Sequence, residues 1–160
     1  IRPKWTLFFY KVPERPTKYQ LSLSMLIDRL AITNLKSIYI SGAKEQYEKE
    51  ADALMHDIEL IAKEEGTYFK EYGKFVRYTQ ILAFINSAIW ANESKARKGE
   101  DQDLILLKLT HSLNRVRNEA MNKLSQIFGQ EQDLKSDYMD SELTKQFGYD
   151  FSGIFREKNI

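Results

Sequence analysis

A chain of 160 residues, 42% hydrophobic and 29% charged, is long enough to bury one core without cross-links and too apolar to stay unfolded. Its 24 Lys and Arg nearly cancel its 23 Asp and Glu, and a net charge of +1 offers no overall attraction to nucleic acid or an anionic membrane. The absence of cysteine excludes disulfides, thiolate zinc sites and cysteine nucleophiles, and no apolar run is long enough to span a bilayer.

The opening residues Ile1-Arg2-Pro3-Lys4-Trp5 lack the apolar stretch of a signal peptide, so a cytoplasmic protein is expected. On that expectation the glycosylation-type triplet Asn92-Glu93-Ser94 is a chance match. Residues 5–12 (Trp-Thr-Leu-Phe-Phe-Tyr-Lys-Val), bounded by Pro3 and Pro13, read as an extended arm too apolar for water. Such an arm either packs on its own helices or engages a second protomer or a partner. All three prolines lie in the first sixteen residues, so the remainder is free to form long helices. Gly42, Gly66, Gly99 and Gly129 each follow a periodic apolar segment, the place of a left-handed residue just past a helix end. Together these signals predict helices over about 18–40, 44–65, 68–98 and 102–128.

The first predicted helix starts behind Thr17, with Gln20 completing a capping box. Leu23, Leu26, Ile27, Leu30 and Ile38 fill one arc of it, and Leu21, Met25, Ile32, Leu35 and Tyr39 the opposite arc, which predicts a central helix. The second has a single stripe, Tyr47, Ala51, Leu54, Ile58 and Ile61, as an outer helix does. The third carries Tyr78, Ile81, Leu82, Ile85, Ala88 and Ile89. The fourth carries Leu106, Leu109, Leu113, Val116, Ala120, Leu124 and Ile127. Short connections favour antiparallel neighbours, so the expectation is an all-α single domain over residues 1–160. Residues 1–16 would form the arm, 17–129 an antiparallel four-helix bundle and 130–160 a tail. That tail contains a short helix near 141–147, followed by Tyr149, Phe151, Ile154 and Phe155, apolar enough to dock.

Familiar catalytic patterns are missing. His56 and His111 are the only histidines and neither follows a carboxylate by three residues, as di-iron bundles require. No phosphate loop, nucleophile elbow or His-Glu-x-x-His is present. Glu45, Glu48 and Asp52 are similar to the acidic helices of all-α nucleotide pyrophosphatases, but Lys44 and Lys49 alternate with them as on a solvated face. No catalytic residue, metal ligand or cofactor is implied.

Polar residues on apolar faces carry more information, because a buried polar group needs a partner. Asp28 sits between Met25 and Ile32, Asn34 between Leu30 and Ile38, and Arg117 beside Leu124 and Phe128, with Asn114 one turn away. Asp28 is an obvious counter-ion for Arg117. On the third helix Asn86, Trp90, Glu93 and Arg97 follow i, i+4, i+7 and i+11 spacing on one flank. These groups either pair internally to fix helix register or line a cleft in which arginines and amides meet an anion and Trp90 faces a base or sugar ring.

Three stretches resemble a known pattern: Leu26-Ile27-Asp28-Arg29-Leu30 through Leu35-Lys36; Asn86 with Trp90, Glu93 and Arg97; and Leu113-Asn114 with Arg117, followed by Gly129 and Lys135. The chain resembles a family of uncharacterised bacterial and phage helical proteins with Ile-Asp-Lys-Leu, Asn-x-x-x-Trp-x-x-Glu and Asn-x-x-Arg helices. The resemblance covers about residues 21–138 and implies a helical fold and the same polar positions, with Lys36 added, but no activity. Arg115 departs from the pattern, which has Asp after the asparagine; the N-terminal arm is an addition.

The expected function is therefore non-catalytic binding of a small anionic ligand, nucleotide-like or sugar-phosphate-like, between helices. Asp28, Lys36, Asn86, Trp90, Glu93, Arg97, Asn114 and Arg117 form the candidate site, with Arg117, Arg97 and Lys36 as anion contacts. The alternative is an interaction module that self-associates through its arm. Neither membranes nor nucleic acid are expected partners.

Overall fold

A computed structural model describes residues 21–64, 71–98, 103–133 and 139–156. Helix makes up 81% of these residues, and no strand occurs among them. The long helices are α1 (Leu23–Tyr39), α2 (Lys44–Glu64), α3 (Tyr72–Arg97) and α4 (Asp103–Ile127). A 3₁₀ turn (Ser41–Ala43) joins α1 to α2, and a short α5 (Ser141–Gln146) follows in the tail. No described helix is long and apolar enough to cross a membrane. The predicted arm, the Thr17–Gln20 capping box, Gly66, Gly99 and Lys135 lie outside the described residues.

The helices begin and end for local reasons. α1 starts at Leu23 rather than near residue 18, because the Ser22 hydroxyl accepts from the Met25 N–H at 3.2 Å. Beyond α4, Gly129 takes φ +65°, and the Gln130 N–H returns to the Ser125 carbonyl at 2.9 Å, closing the last turn. Gly42 behaves differently from expectation. It lies inside the 3₁₀ turn without a positive φ, and α1 stops at Ile40, whose backbone is extended (φ −109°, ψ 92°), rather than at a left-handed residue. Asp140 caps α5 by accepting from the Leu143 N–H at 2.9 Å, while its own N–H donates to Ser112 Oγ on α4 at 3.1 Å.

Cross-helix contacts fix the directions. α1 and α4 run antiparallel, since Ser24 meets Ser125 (Oγ to Oγ, 2.8 Å) and Asp28 meets Arg117. α3 and α4 are also antiparallel: the Phe75 and Phe128 rings lie 6.0 Å apart at one end, and Asn92 reaches the Leu106 carbonyl at 2.8 Å near the other. α2 folds back on α1, where Arg29 Nε and Thr33 Oγ1 both donate to Glu50 Oε1 at 3.3 Å.

The core joins Leu23, Leu26 and Ile27 of α1, Leu54 and Ile61 of α2, Leu82 and Ile85 of α3, and Leu113 and Leu124 of α4. The single stripe of α2 and the stripe of α4 are used as their spacing predicts. α1 differs: its second arc is only partly covered, with Ile32 and Leu35 half-buried, Met25 and Tyr39 exposed and Leu21 exposed just before the helix, so it is not a helix buried all round. Asn34 and Ile38 are exposed as well, because the last turns of α1 run past the core. The tail docks on α3, with Phe151 buried, Tyr78 beside Phe155 and Phe84 beside Tyr149 at 6.0 Å between ring centroids.

Candidate functional site

Three helices bring polar groups together at Asp28. The antiparallel register of α1 and α4 puts Arg117 opposite it, and α3 supplies Asn86 from the third side. Arg117 binds in a fork, Nε to Asp28 Oδ1 at 2.8 Å and Nη2 to Asp28 Oδ2, while Asn86 Nδ2 donates to Asp28 Oδ1 at 2.9 Å. Asn114, one turn before Arg117, accepts from its Nη1 at 3.4 Å. The Asp28 and Asn86 side chains are buried, whereas 28% of the Arg117 side chain remains exposed. The hydrogen bond to Asp28 raises the pKa of Arg117 above its ordinary value against the opposing effect of burial; the charges of Asp28 and Glu93 add to the rise. The guanidinium is thus a fixed cation at every accessible pH.

This pair forms the floor of an open cleft of about 540 Å³ between α1 and α4. Leu21, Met25, Leu26, Ile32 and Met121 make its apolar walls. Arg29, His111, Asn114 and Asn118 supply the polar ones. Leu21, just before α1, and Met25 and Ile32 on it therefore face this opening rather than a core.

The remaining sequence candidates lie elsewhere. Trp90 is not a lining residue; its ring stacks on Tyr39, with centroids 6.0 Å apart and planes 20° apart. Arg97 is 83% exposed and pairs loosely with Glu93, Nη2 to Oε2 at 3.8 Å. Lys36 lies on the α2 side of α1, its Nζ 5.6 Å from the centre of the Tyr47 ring. Of the eight candidates the structure joins Asp28, Asn86, Asn114 and Arg117, and the row on α3 separates because each residue advances ~1.5 Å along the helix, carrying Arg97 past the packed region.

Several groups were not singled out from the sequence. Arg29, His111, Asn118 and Met121 line the cleft, and the available signal was the three-and-four spacing of His111, Asn114, Asn118 and Met121 on α4. Asn92, dismissed as part of a chance triplet, is buried and donates to the Leu106 carbonyl at 2.8 Å and Thr110 Oγ1 at 2.5 Å. It ties the end of α3 to the start of α4. Among the described residues no group of three or more His, Asp or Glu is arranged to hold a metal ion, and Glu45 pairs with Lys49 at 2.8 Å.

Fold and site together define an all-helical protein with a buried-edge ion pair at the floor of an open cleft. Comparison of the chain with protein-family models, with curated proteins and with solved structures finds no match.

Proposed function

We propose that this chain is a non-catalytic helical protein that binds a small amphipathic molecule with one anionic group in the α1–α4 cleft. The observation that carries the reading is the setting of Arg117, a guanidinium held in orientation by Asp28 yet 28% exposed beneath aliphatic walls. Of its five N–H groups, Asp28 and Asn114 engage three among the described residues, which leaves two for a ligand oxygen. Charge sets the class of anion. Asp28 already neutralises Arg117 and Glu50 pairs with Arg29, so a phosphodiester or a carboxylate suits the cleft and a triphosphate does not. Within this proposal the four long helices form an antiparallel bundle, the protein is cytoplasmic, and the motif resemblance to the bacterial and phage helical family extends to the fold.

The test is a thermal-shift series with cyclic AMP, benzoate, inorganic phosphate and ATP on the wild type and Asn118→Asp. A probe at a hundred times its Kd stabilises by about 2.7 kcal/mol. Cyclic AMP or benzoate should shift the wild type, and the new carboxylate in the cleft wall should remove the shift. No shift from any probe would leave the cleft without a ligand role.

A second reading, protein–protein interaction, is favoured by a different observation. Leu21 and Met25 are 49% and 47% exposed on the rim of the cleft.

A further inference from the structure

The lines of side chains that flank the cleft continue beyond it. On α1, Met25, Asp28, Ile32, Leu35 and Tyr39 are separated by alternating steps of three and four, one face of a helix at heptad spacing, with Asp28 buried and Ile32 and Leu35 half-buried. On α4, Leu104, Leu107, His111, Asn114, Asn118 and Met121 alternate three and four in the same way. Because the helices are antiparallel, the start of one line lies beside the end of the other. Both lines read apolar, polar, apolar. Met25 and Met121, with Leu21 just before α1, form one end; Leu104 and Leu107, with Tyr39 whose ring stacks on Trp90 of α3, form the other; buried Asp28 and His111, Asn114 and Asn118 lie between. Leu104 and Leu107 are 65% and 52% exposed, which extends the exposed apolar line well past the cleft.

We propose that this face docks a second copy of the same chain, α1 and α4 of one copy against α1 and α4 of the other. In a twofold arrangement a face meets itself, so its apolar parts must find apolar parts and its polar centre a polar centre. A line that reads the same from either end satisfies that condition; a foreign helix would not require it. Asn114, whose Oδ1 accepts from Arg117, can donate its amide N–H to the other copy, the device by which a single buried asparagine fixes register in coiled coils. The centre does not repel its copy, because Asp28 neutralises Arg117 and Glu50 neutralises Arg29 within each chain.

Size sets the strength. The 17 residues of α1 span ~25 Å and two helices side by side ~20 Å, a footprint of roughly 500 Å² per copy. That is below the ~800 Å² per partner of a standard interface, the size class of weak, transient contacts. The docked copy would roof the cleft, but the proposal does not depend on a ligand.

Sedimentation of the whole chain without added ligand, from about 1 to 300 µM, brackets such an interface. The weight-average mass should rise toward twice the monomer. Met25→Glu and Leu107→Glu should hold it at the monomer while the helical circular-dichroism signal is unchanged. The cysteine-free sequence permits a direct check: oxidised Asn118→Cys should form a disulfide-linked dimer, and Lys49→Cys, on exposed α2 surface, should not. A wild type that stays monomeric throughout, or equal cross-linking of both cysteine variants, overturns the proposal. So does a fall in melting temperature of Met25→Glu without a change in mass, which would mean the face is covered within one chain. Failure of the dimer leaves the ligand reading intact, since that reading is judged by ligand-dependent melting alone.

Discussion

Replacing Arg117 by methionine tests the centre of the structure. Methionine keeps much of the aliphatic stem and removes the guanidinium, leaving Asp28, only 6% exposed, with Asn86 as its remaining hydrogen-bond donor among the described residues. Breaking a buried ion pair from one side costs about 3–5 kcal/mol. The Asn86 amide persists and the cleft admits water beside a side chain that was 28% exposed, so the lower end, about 3 kcal/mol, is expected. For a chain of this size each kcal/mol moves Tm by about 2–4 °C, giving a fall of about 6–12 °C. Urea unfolding followed by circular dichroism measures the same loss independently. Adding Asp28→Asn to Arg117→Met should recover at least half of it, because a neutral amide can still bond Asn86 and carries no stranded charge. A loss for Arg117→Met within about 0.5 kcal/mol, the scale of an ordinary surface substitution, would refute the reasoning.

Asn92→Ala should cost about 0.5–1.5 kcal/mol in urea unfolding, since it removes the amide donor to the Leu106 carbonyl and Thr110 Oγ1 while the Thr110 hydroxyl still donates to that carbonyl at 3.0 Å; a neutral result would show that water replaces the amide. Gly129→Ala should cost about 1 kcal/mol because it forces alanine to φ +65°, whereas Gly42→Ala, with no positive φ and nothing within 4 Å of the added methyl, should be neutral or stabilising. Equal melting temperatures for the two glycine variants would contradict this. Ser152 donates its hydroxyl at 2.6 Å and its N–H at 2.9 Å to Asp150 Oδ1 and holds that carboxyl below its ordinary range. A folded pKa lowered in this way contributes stability above the unfolded value of about 3.9 and loses it as pH falls through the folded one. Ser152→Ala should therefore raise the Asp150 midpoint in a carbon-13 NMR titration, and an unmoved midpoint would show that the Ser152 hydroxyl does not hold the carboxyl down.

Periodicity made α2 and α4 legible, because the stripe it marks on each supplies the core face, with Ala51, Leu54 and Ile61 buried on α2 and Leu106, Leu109, Leu113, Val116, Ala120 and Leu124 on α4. It placed α1 centrally, as its approach to α2, α3 and α4 bears out, but overstated its burial for a physical reason: a wheel reports that an arc is apolar, not whether another helix covers it. Leu21, Met25 and Ile32 face an opening that only tertiary structure creates. The pairing of Asp28 with Arg117 was readable as chemistry, since a guanidinium on an apolar face needs a carboxylate. The row from Asn86 to Arg97 was read as one unit because a wheel discards height along the axis; Asn86 is buried and Arg97 is 83% exposed. Gly42 and Gly129 looked alike in sequence, but the first lies within a tight connection between helices and the second needs the left-handed conformation.

α2 occupies a peripheral place: among the described elements its backbone comes close only to α1 and the turn that joins them. Its stability is therefore borrowed through a few side chains such as Leu54 and Ile61, while α3 and α4 remain tied by Asn92 and the Phe75–Phe128 contact whether or not α2 is in place. Amide protons of α2 should exchange with solvent by a sub-global opening at lower free energy than those near Ile85 or Leu113. The molecule would then hold two layers of protection, an outer helix that opens often and an inner hairpin that exchanges only when the whole chain unfolds.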